Sequence, residues 1–403
     1  MRRVSVRPRS GWQKKVESHG LIWHTVNGQP YWNESACYRF SARQIDEIEA
    51  ATAELYRISM QGVQHVIDNN LFDQLGIPQF IVPLIVRAWN DEPPALNHGR
   101  FDLGYDGVTP PKLFEYNCDT PTCLLETAVV QWDWKEEVFP RADQFHSLHD
   151  NLLAKWKDIA PCLNSSVVHF THFDDAAGED TLTVTYMRDL ASQAGLSSVG
   201  ILIGDIGWNA TTRRFVDLAN HPIDVLFHLY PWEWLINEPF ALNIAKSADA
   251  MCWIEPAWKM VLSNKAILAV LWELFPNHPN LLPCSFETPS FDHVRKPFLG
   301  REGANISVLR NRQAVAETGG GYGEERWVYQ ALCNLPDFDG NRAVLGSWIV
   351  DGQPAGMGIR EDDLITGNTA RFVPHVLDLK LSVHQPLPLK TSLAARPLDL
   401  RSY

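Results

Sequence analysis

The stretch that decides the fold is "LFEYNCDTPTC", residues 113–123. Leu113, Phe114 and Tyr116 suit a β-strand, yet Glu115 and Asn117 interrupt the apolar run at alternate positions. In a strand, residues two apart point to one face. Glu115 and Asn117 therefore project together, while Phe114 and Tyr116 turn toward a core. A carboxylate beside an amide carbonyl is the all-oxygen chemistry that Mg2+ prefers, although a solvated polar strand face is the commoner outcome of this spacing. The Asp119-Thr120-Pro121-Thr122 segment that follows can offer hydroxyls and backbone N–H groups to an anion. On its own it reads first as an ordinary proline turn.

Working outward, "GRFDLGYDG" (99–107) is a short strand-like run, and its "GYDG" supplies turn chemistry before "PKLFEYN" (111–117). The two runs predict a hairpin across residues 99–118. Asp102 falls on the partner strand, where it can complete a cluster with Glu115 and Asn117. Arg100, two residues earlier, shares its face. A guanidinium beside an acid-bound metal is a means of neutralising a phosphate or acyl phosphate, while a surface position is the default for a lone arginine.

Residues 43–71 carry apolar positions at helical spacing and few breakers, which predicts a long helix. "IVPLIVRAW" (81–89) reads as β-like, and "LETAVVQWDWKEEVF" (125–139) as helical. From about 165 the pattern becomes strand, helix, strand. "SVVHFTHF", "VGILIGD" and "IDVLFHLYPW" are strand-like, with a helix over roughly 180–194. That alternation predicts a small α/β unit with a parallel sheet. "NKAILAVLWELF" is a short helix opened by Lys265, and residues 295–375 are richer in glycine and strand-like runs. Lys296 precedes a loop in which Gly300 and Gly303 bracket Arg301 and Glu302. A lysine before such a loop can hold nucleotide phosphates while backbone N–H groups close over them, although glycine turns are common in hairpins. "TGGGYGEERWVYQAL" (318–332) reads as a mobile hairpin tip running into a strand.

The bulk properties bound the function. The 403 residues are 45% hydrophobic, 21% charged and 11% aromatic, as in a folded multi-lobed enzyme. A formal charge of −13 argues against a nucleic-acid partner and is compatible with a cationic substrate such as a polyamine. The basic start "MRRVSVRPRSGW" lacks the apolar run of a secretory signal, and no apolar stretch is long enough for a membrane span. The seven cysteines are scattered, odd in number and free of CxxC pairs, which predicts reduced thiols in a cytoplasmic protein and no zinc site. The fifteen tryptophans are expected in cores and interdomain packing, Glu233 in "PWEW" (231–234) standing out between two of them. The fourteen histidines show no ligand spacing.

Taken in order, "RFD", "FEYNCDTPT", "IEPAWKMVLSNKAILAVLW", "KPFLGREGANI", "VYQAL" and "GIRED" resemble the motifs of the glutathionylspermidine synthase family, over roughly residues 15–375. The resemblance implies an α/β (α+β) ATP-grasp fold with an inserted Rossmann-like (pre-ATP-grasp) α/β domain. The expected parts are a helical and hairpin region, 1–160, contributing metal and acid-substrate sites; the insertion, 161–245; and the nucleotide-binding part with its tail, 246–403. It implies an ATP-dependent carboxylate–amine ligase that uses ATP and Mg2+ and forms an amide through an acyl phosphate.

Carried across by motif, Asp102, Glu115 and Asn117 are the implied magnesium ligands. Arg100 meets the activated carboxylate and Arg360 serves the reaction centre. Lys265, Lys296, Gly300, Gly303 and Gln330 hold ATP, and Glu233 binds the glutathione end. The family's glutathione-contacting serines are Thr120 and Thr122 here, with Pro121 between them, so the acid pocket is expected to differ in shape. No Cys-His amidase half is expected, and the chain resembles the short, synthetase-only relatives. Its expected partners are a peptide-like acid and an amine or polyamine, not nucleic acid or membrane. Two other readings stay open: a ligase of this fold for a different acid and amine, and a non-catalytic ATP-binding descendant that binds a peptide or protein.

Overall fold

Strands His98–Gly104 and Lys112–Asn117 pair antiparallel, as the alternation of residues 113–117 requires. They form one side of a five-stranded sheet completed by Arg342–Val350, Gln353–Asp362 and Arg371–Phe372. The computed structural model describes residues 1–378 apart from 248–249, 323–325 and 368–369.

The register of the hairpin sets Arg100 opposite Asn117 and Asp102 opposite Glu115, then slips by one residue so that Leu103 faces Leu113. Phe114 is the extra residue of this bulge. An extra residue breaks the two-residue alternation. Leu113 and Tyr116 therefore turn into the core, whereas Phe114 is half-buried and lines the cleft, not the core expected of it.

The long helix runs over Ala42–Asp68. Ser41 caps it, accepting from the Gln44 backbone N–H while the Gln44 side chain accepts from the Ser41 N–H. Ile45, Ile48, Leu55, Ile58 and Val66 form its buried stripe. A hydrogen bond of 2.6 Å between the Thr52 and Ser347 hydroxyls fixes the helix to the central sheet. Residues 81–89 are helical instead of extended: the helix is Val82–Asp91, with Pro83 in its first turn. Proline is tolerated there because its missing N–H has no intrahelical partner to lose. Leu84 and Ile85 bury one side of that helix.

Residues 167–254 supply a parallel four-stranded sheet, with Cys252–Ile254, Val225–Leu229, Val167–His172 and Ser197–Leu202 side by side. Helix Glu179–Gln193 connects the last two, as the strand–helix–strand pattern predicts. A third sheet, antiparallel and five-stranded, contains His293–Pro297 beside Trp327–Ala331 and Ser307–Arg310. Lys296 thus ends a strand just before the 298–306 loop. Trp32, Trp134, Trp156, Trp232 and Trp348 are fully buried, matching the packing role expected of tryptophan. All seven cysteines are free thiols. Among the described residues no helix is long and apolar enough to cross a membrane.

Candidate active site

The two antiparallel sheets face each other across a cleft of about 290 Å3. Its lining contains every residue singled out in the sequence except Glu233, namely Arg100, Asp102, Glu115, Asn117, Thr120, Thr122, Lys265, Lys296, Gly300, Gly303, Gln330 and Arg360.

The central sheet supplies the oxygen-bearing side chains. Asn117 Nδ2 lies 3.4 Å from Asp102 Oδ2 and 3.3 Å from Glu115 Oε1, so the three groups stand together on one face. Arg100 Nε donates to Asp102 Oδ1 at 2.7 Å, and Arg360 Nη2 reaches Asp102 Oδ2 at 2.5 Å from the neighbouring side of the sheet. Between them sits Gly346, where a Cβ would meet Arg100 Cδ at 2.7 Å. Glycine at 346 is what lets the Arg100 side chain lie across the sheet. The Arg100 Nη1 also donates to the Thr122 carbonyl at 2.5 Å, tying the proline turn to the cleft.

Lys296 comes from the third sheet, and Lys265 from the link between helices Lys259–Ser263 and Ile267–Leu274. Lys296 Nζ donates to Gln330 Oε1 at 2.7 Å and to the Phe114 carbonyl at 2.9 Å, while Gln330 Nε2 donates to the Leu113 carbonyl at 2.8 Å. These bonds join the two sheets at the floor of the cleft. Lys265 Nζ pairs with Glu115 Oε2 at 3.1 Å and donates to the Gly300 carbonyl at 2.5 Å. Burial alone would raise the pKa of Glu115, but Lys265 and Lys296 outweigh it and hold that carboxylate well below its usual range. Burial, with Lys265 adding to it against Glu115, pushes Lys296 down to about 8.

The loop after Lys296 closes one end. Gly303 adopts φ +69° and packs so tightly that a Cβ would lie 2.6 Å from the Thr366 carbonyl. Arg301 reaches from this loop to Thr120 Oγ1 at 2.8 Å and to Glu233 Oε1 at 3.1 Å, with its guanidinium 5.6 Å from the Trp234 ring centre. Glu233 thus bonds to a residue of the lining, though it is outside it. Buried Asp119 accepts from the Trp232 backbone N–H at 2.7 Å, and burial together with Glu233 pushes it up to about 8. In sequence, Arg301 between Gly300 and Gly303 carries no sign of its partners, which lie far away along the chain.

A second group was not legible. Glu126 is buried and Glu179 lies half-buried near it, and Asp180 and Glu302 add their charge to Glu179. Burial and these neighbours push Glu179 up to about 8, while burial and Asp175 push Asp180 up to about 6. In sequence, Glu179 and Asp180 are ordinary acids of a helix first turn.

Two facing antiparallel sheets that bring lysines and acids to one cleft define an ATP-grasp enzyme. A glutathione synthetase-like effector from Globodera pallida, solved in its apo form, shares the fold. It has a TM-score of 0.56 and 11% identity, over 92% of this chain and 96% of that one. Residues 3–378 match the family described as glutathionylspermidine synthase preATP-grasp, and the chain belongs to that family.

Among its relatives is a Haemophilus influenzae protein provisionally named an acid–amine ligase, 40% identical over 87% of this chain and 91% of the relative. The trypanothione synthetase of Crithidia fasciculata is 29% identical over 79% of this chain and 53% of its own length. The bifunctional glutathionylspermidine synthetase/amidase of Escherichia coli is 26% identical over 86% of this chain and 59% of its own length. The match therefore spans little more than half of those two longer relatives. The chain is an ATP-dependent acid–amine ligase of the glutathionylspermidine synthase type.

Proposed function

We propose that the chain joins the carboxylate of a peptide such as glutathione to an amino group of a polyamine, through an acyl phosphate made with ATP. The observation that carries this reading is the convergence of two lysines, two arginines and three oxygen-bearing side chains on one cleft. A carboxylate resists attack by an amine because oxide is a poor leaving group, and phosphorylation supplies a good one. The charge that builds during phosphoryl transfer calls for cations placed in advance.

Lys265 and Lys296 hold the nucleotide phosphates in this scheme, and Gln330 and the Gly300–Gly303 loop border the nucleotide. Arg100 and Arg360 face the acyl phosphate and the tetrahedral adduct that follows. Asp102, Glu115 and Asn117 fit a hard divalent cation: all three present oxygen, they lie within 3.4 Å of one another through the Asn117 amide, and Glu115 stays ionised. Turning the Asn117 amide presents its oxygen in place of its nitrogen. Among the described residues no group of three His, Cys, Asp or Glu side chains is placed to hold a metal alone. Mg2+ commonly draws its remaining oxygens from phosphates and water. When bound there, Mg2+ offsets phosphate charge as a Lewis acid.

Arg301 latches the loop onto Thr120 and Glu233, which keeps water from the acyl phosphate. The acid sits beneath this latch, with Thr120, Thr122 and Glu233 shaping its pocket. Glu126 and Asp180 both disfavour the charge of half-buried Glu179, and a cationic amine held beside the three acids would offset that cost. We take the inserted unit, expected over 161–245, to run on through its fourth strand at Cys252–Ile254, so that the nucleotide-binding part begins after that strand and not at 246, and we place the enzyme in the cytoplasm.

The test is ADP release in the presence of MgATP, thiol peptides and polyamines, added singly and in pairs. The reading predicts stimulation that requires both an acid and an amine. MgATP binding without stimulation by any pair would favour the non-catalytic descendant.

A further inference from the structure

A second cavity, of about 390 Å3, shares no lining residue with the cleft. It sits on the parallel sheet. Strand Val167–His172 lies between Ser197–Leu202, which follows it in sequence, and Val225–Leu229, which comes later. The chain therefore winds to one side of the first strand and then returns to the other. At such a switch point the loops leaving the carboxyl ends of neighbouring strands diverge and open a crevice, which is where open α/β sheets take their ligands. The cavity occupies that crevice. Asp174 follows the first strand, Asp205 the second and Tyr230 the third, and all three line it.

Its chemistry is asymmetric. The floor is hydrocarbon and aromatic: Leu226, Leu235, Ile244 and Trp253, all buried. At the mouth Phe173 and Phe240 are 55% and 44% exposed. The charged groups of the lining are three carboxylates, Asp174, Asp205 and Glu238; among the described residues no lysine, arginine or histidine lines it. Tyr230 donates its hydroxyl to Glu238 Oε1 at 2.5 Å, which fixes one carboxylate over the aromatic wall. The volume is in the range of small-molecule sites, roughly 300–1,000 Å3.

We propose that this crevice binds a small organic cation with an apolar body, its hydrocarbon on Leu226, Leu235, Ile244 and Trp253 and its ammonium among Asp174, Asp205 and Glu238. The aromatic walls add attraction for the cation, and the three carboxylates repel acids of the same shape. The site is separate from the cleft and does not depend on which reaction the cleft performs.

Three probes of one shape decide it: hexylamine, hexan-1-ol and hexanoate, titrated by calorimetry into the full chain without nucleotide. The proposal predicts one hexylamine per chain and at least tenfold weaker binding of the alcohol and the acid. The double variant Asp205→Asn, Glu238→Gln keeps the shape of both mouth residues, and it should weaken hexylamine at least tenfold. Ile244→Trp, which fills the floor, should abolish the binding, with circular dichroism confirming that the variant folds. No uptake of hexylamine at millimolar concentration, equal binding of the alcohol, or an affinity unmoved by the mouth variant would each overturn it.

Discussion

Arg360 and Arg100 grip one carboxylate from two sides: Asp102 Oδ2 lies 2.5 Å from Arg360 Nη2, and Asp102 Oδ1 lies 2.7 Å from Arg100 Nε. The register places all three on the cleft face, Arg360 on Gln353–Asp362 and the other two on His98–Gly104, with Gly346 of the intervening strand opposite Asp102 leaving room between them. Asp102 thus aligns both arginines, and in the proposed reaction it also faces the cation. Asp102→Asn and Glu115→Gln keep size and remove charge. Each is expected to lower kcat by roughly a hundredfold or more, the scale seen when one preorganised electrostatic partner is lost. Glu115→Gln should remain folded but melt below the parent, because it removes the anion that Lys265 and Lys296 face. Wild-type-like ligase rates in either variant would overturn the metal assignment.

Gly346 offers a test by addition. A methyl group there would meet Arg100 Cδ at 2.7 Å, and the strand is paired on both sides, so the arginine must be the part that moves. Gly346→Ala should cost kcat with little change in the KM for ATP, read from steady-state rates. An unchanged kcat would show that Arg100 is not held in its working position by this contact.

Arg301 joins the loop after Lys296 to residues 68 and 181 positions away, Glu233 and Thr120. If this contact seals the acid site, Arg301→Ala should raise the KM for the acid and release phosphate without forming amide, because water reaches the acyl phosphate. The ratio of ADP to amide product measures it. A ratio of one in the variant would remove Arg301 from the seal.

Lys296 gives a pH dependence with a fixed sign. Burial lowers its pKa to about 8 in the free protein, whereas bound phosphate favours the charged form. Below about 8 the lysine is already charged and nucleotide affinity should be nearly flat. Above it, binding must take up a proton, and affinity should fall by up to about tenfold per pH unit. Lys296→Arg should flatten that limb, since arginine keeps its charge. Titrations of an ATP analogue across the alkaline range would show it.

How much of this was readable depends on the range of the contacts. Glu115 and Asn117 share a face because strands repeat every two residues, and Asp102 follows from a short hairpin, so the acid cluster was visible locally. Phe114 departs from the expected core position because one bulge residue reverses that alternation, and a bulge leaves no mark in composition. Residues 81–89 form a helix and not the expected strand because a short apolar run fits either, and Pro83 is compatible with the start of both. Lys296 has a local cue in the glycine-bracketed loop after it, whereas Lys265 gains meaning only from the order of the motifs. Arg301, Glu126 and Glu179 had no local signature at all. Their neighbours come from other parts of the chain, and only the fold brings them together.

The account rests on a phosphorylated carboxylate, and one isotope experiment addresses it directly. With oxygen-18 in the glycine carboxylate of glutathione, and spermidine and MgATP present, the account predicts amide product with one labelled oxygen in the inorganic phosphate released for each ADP. Label appearing in AMP, or ADP and amide formed with unlabelled phosphate, would contradict it.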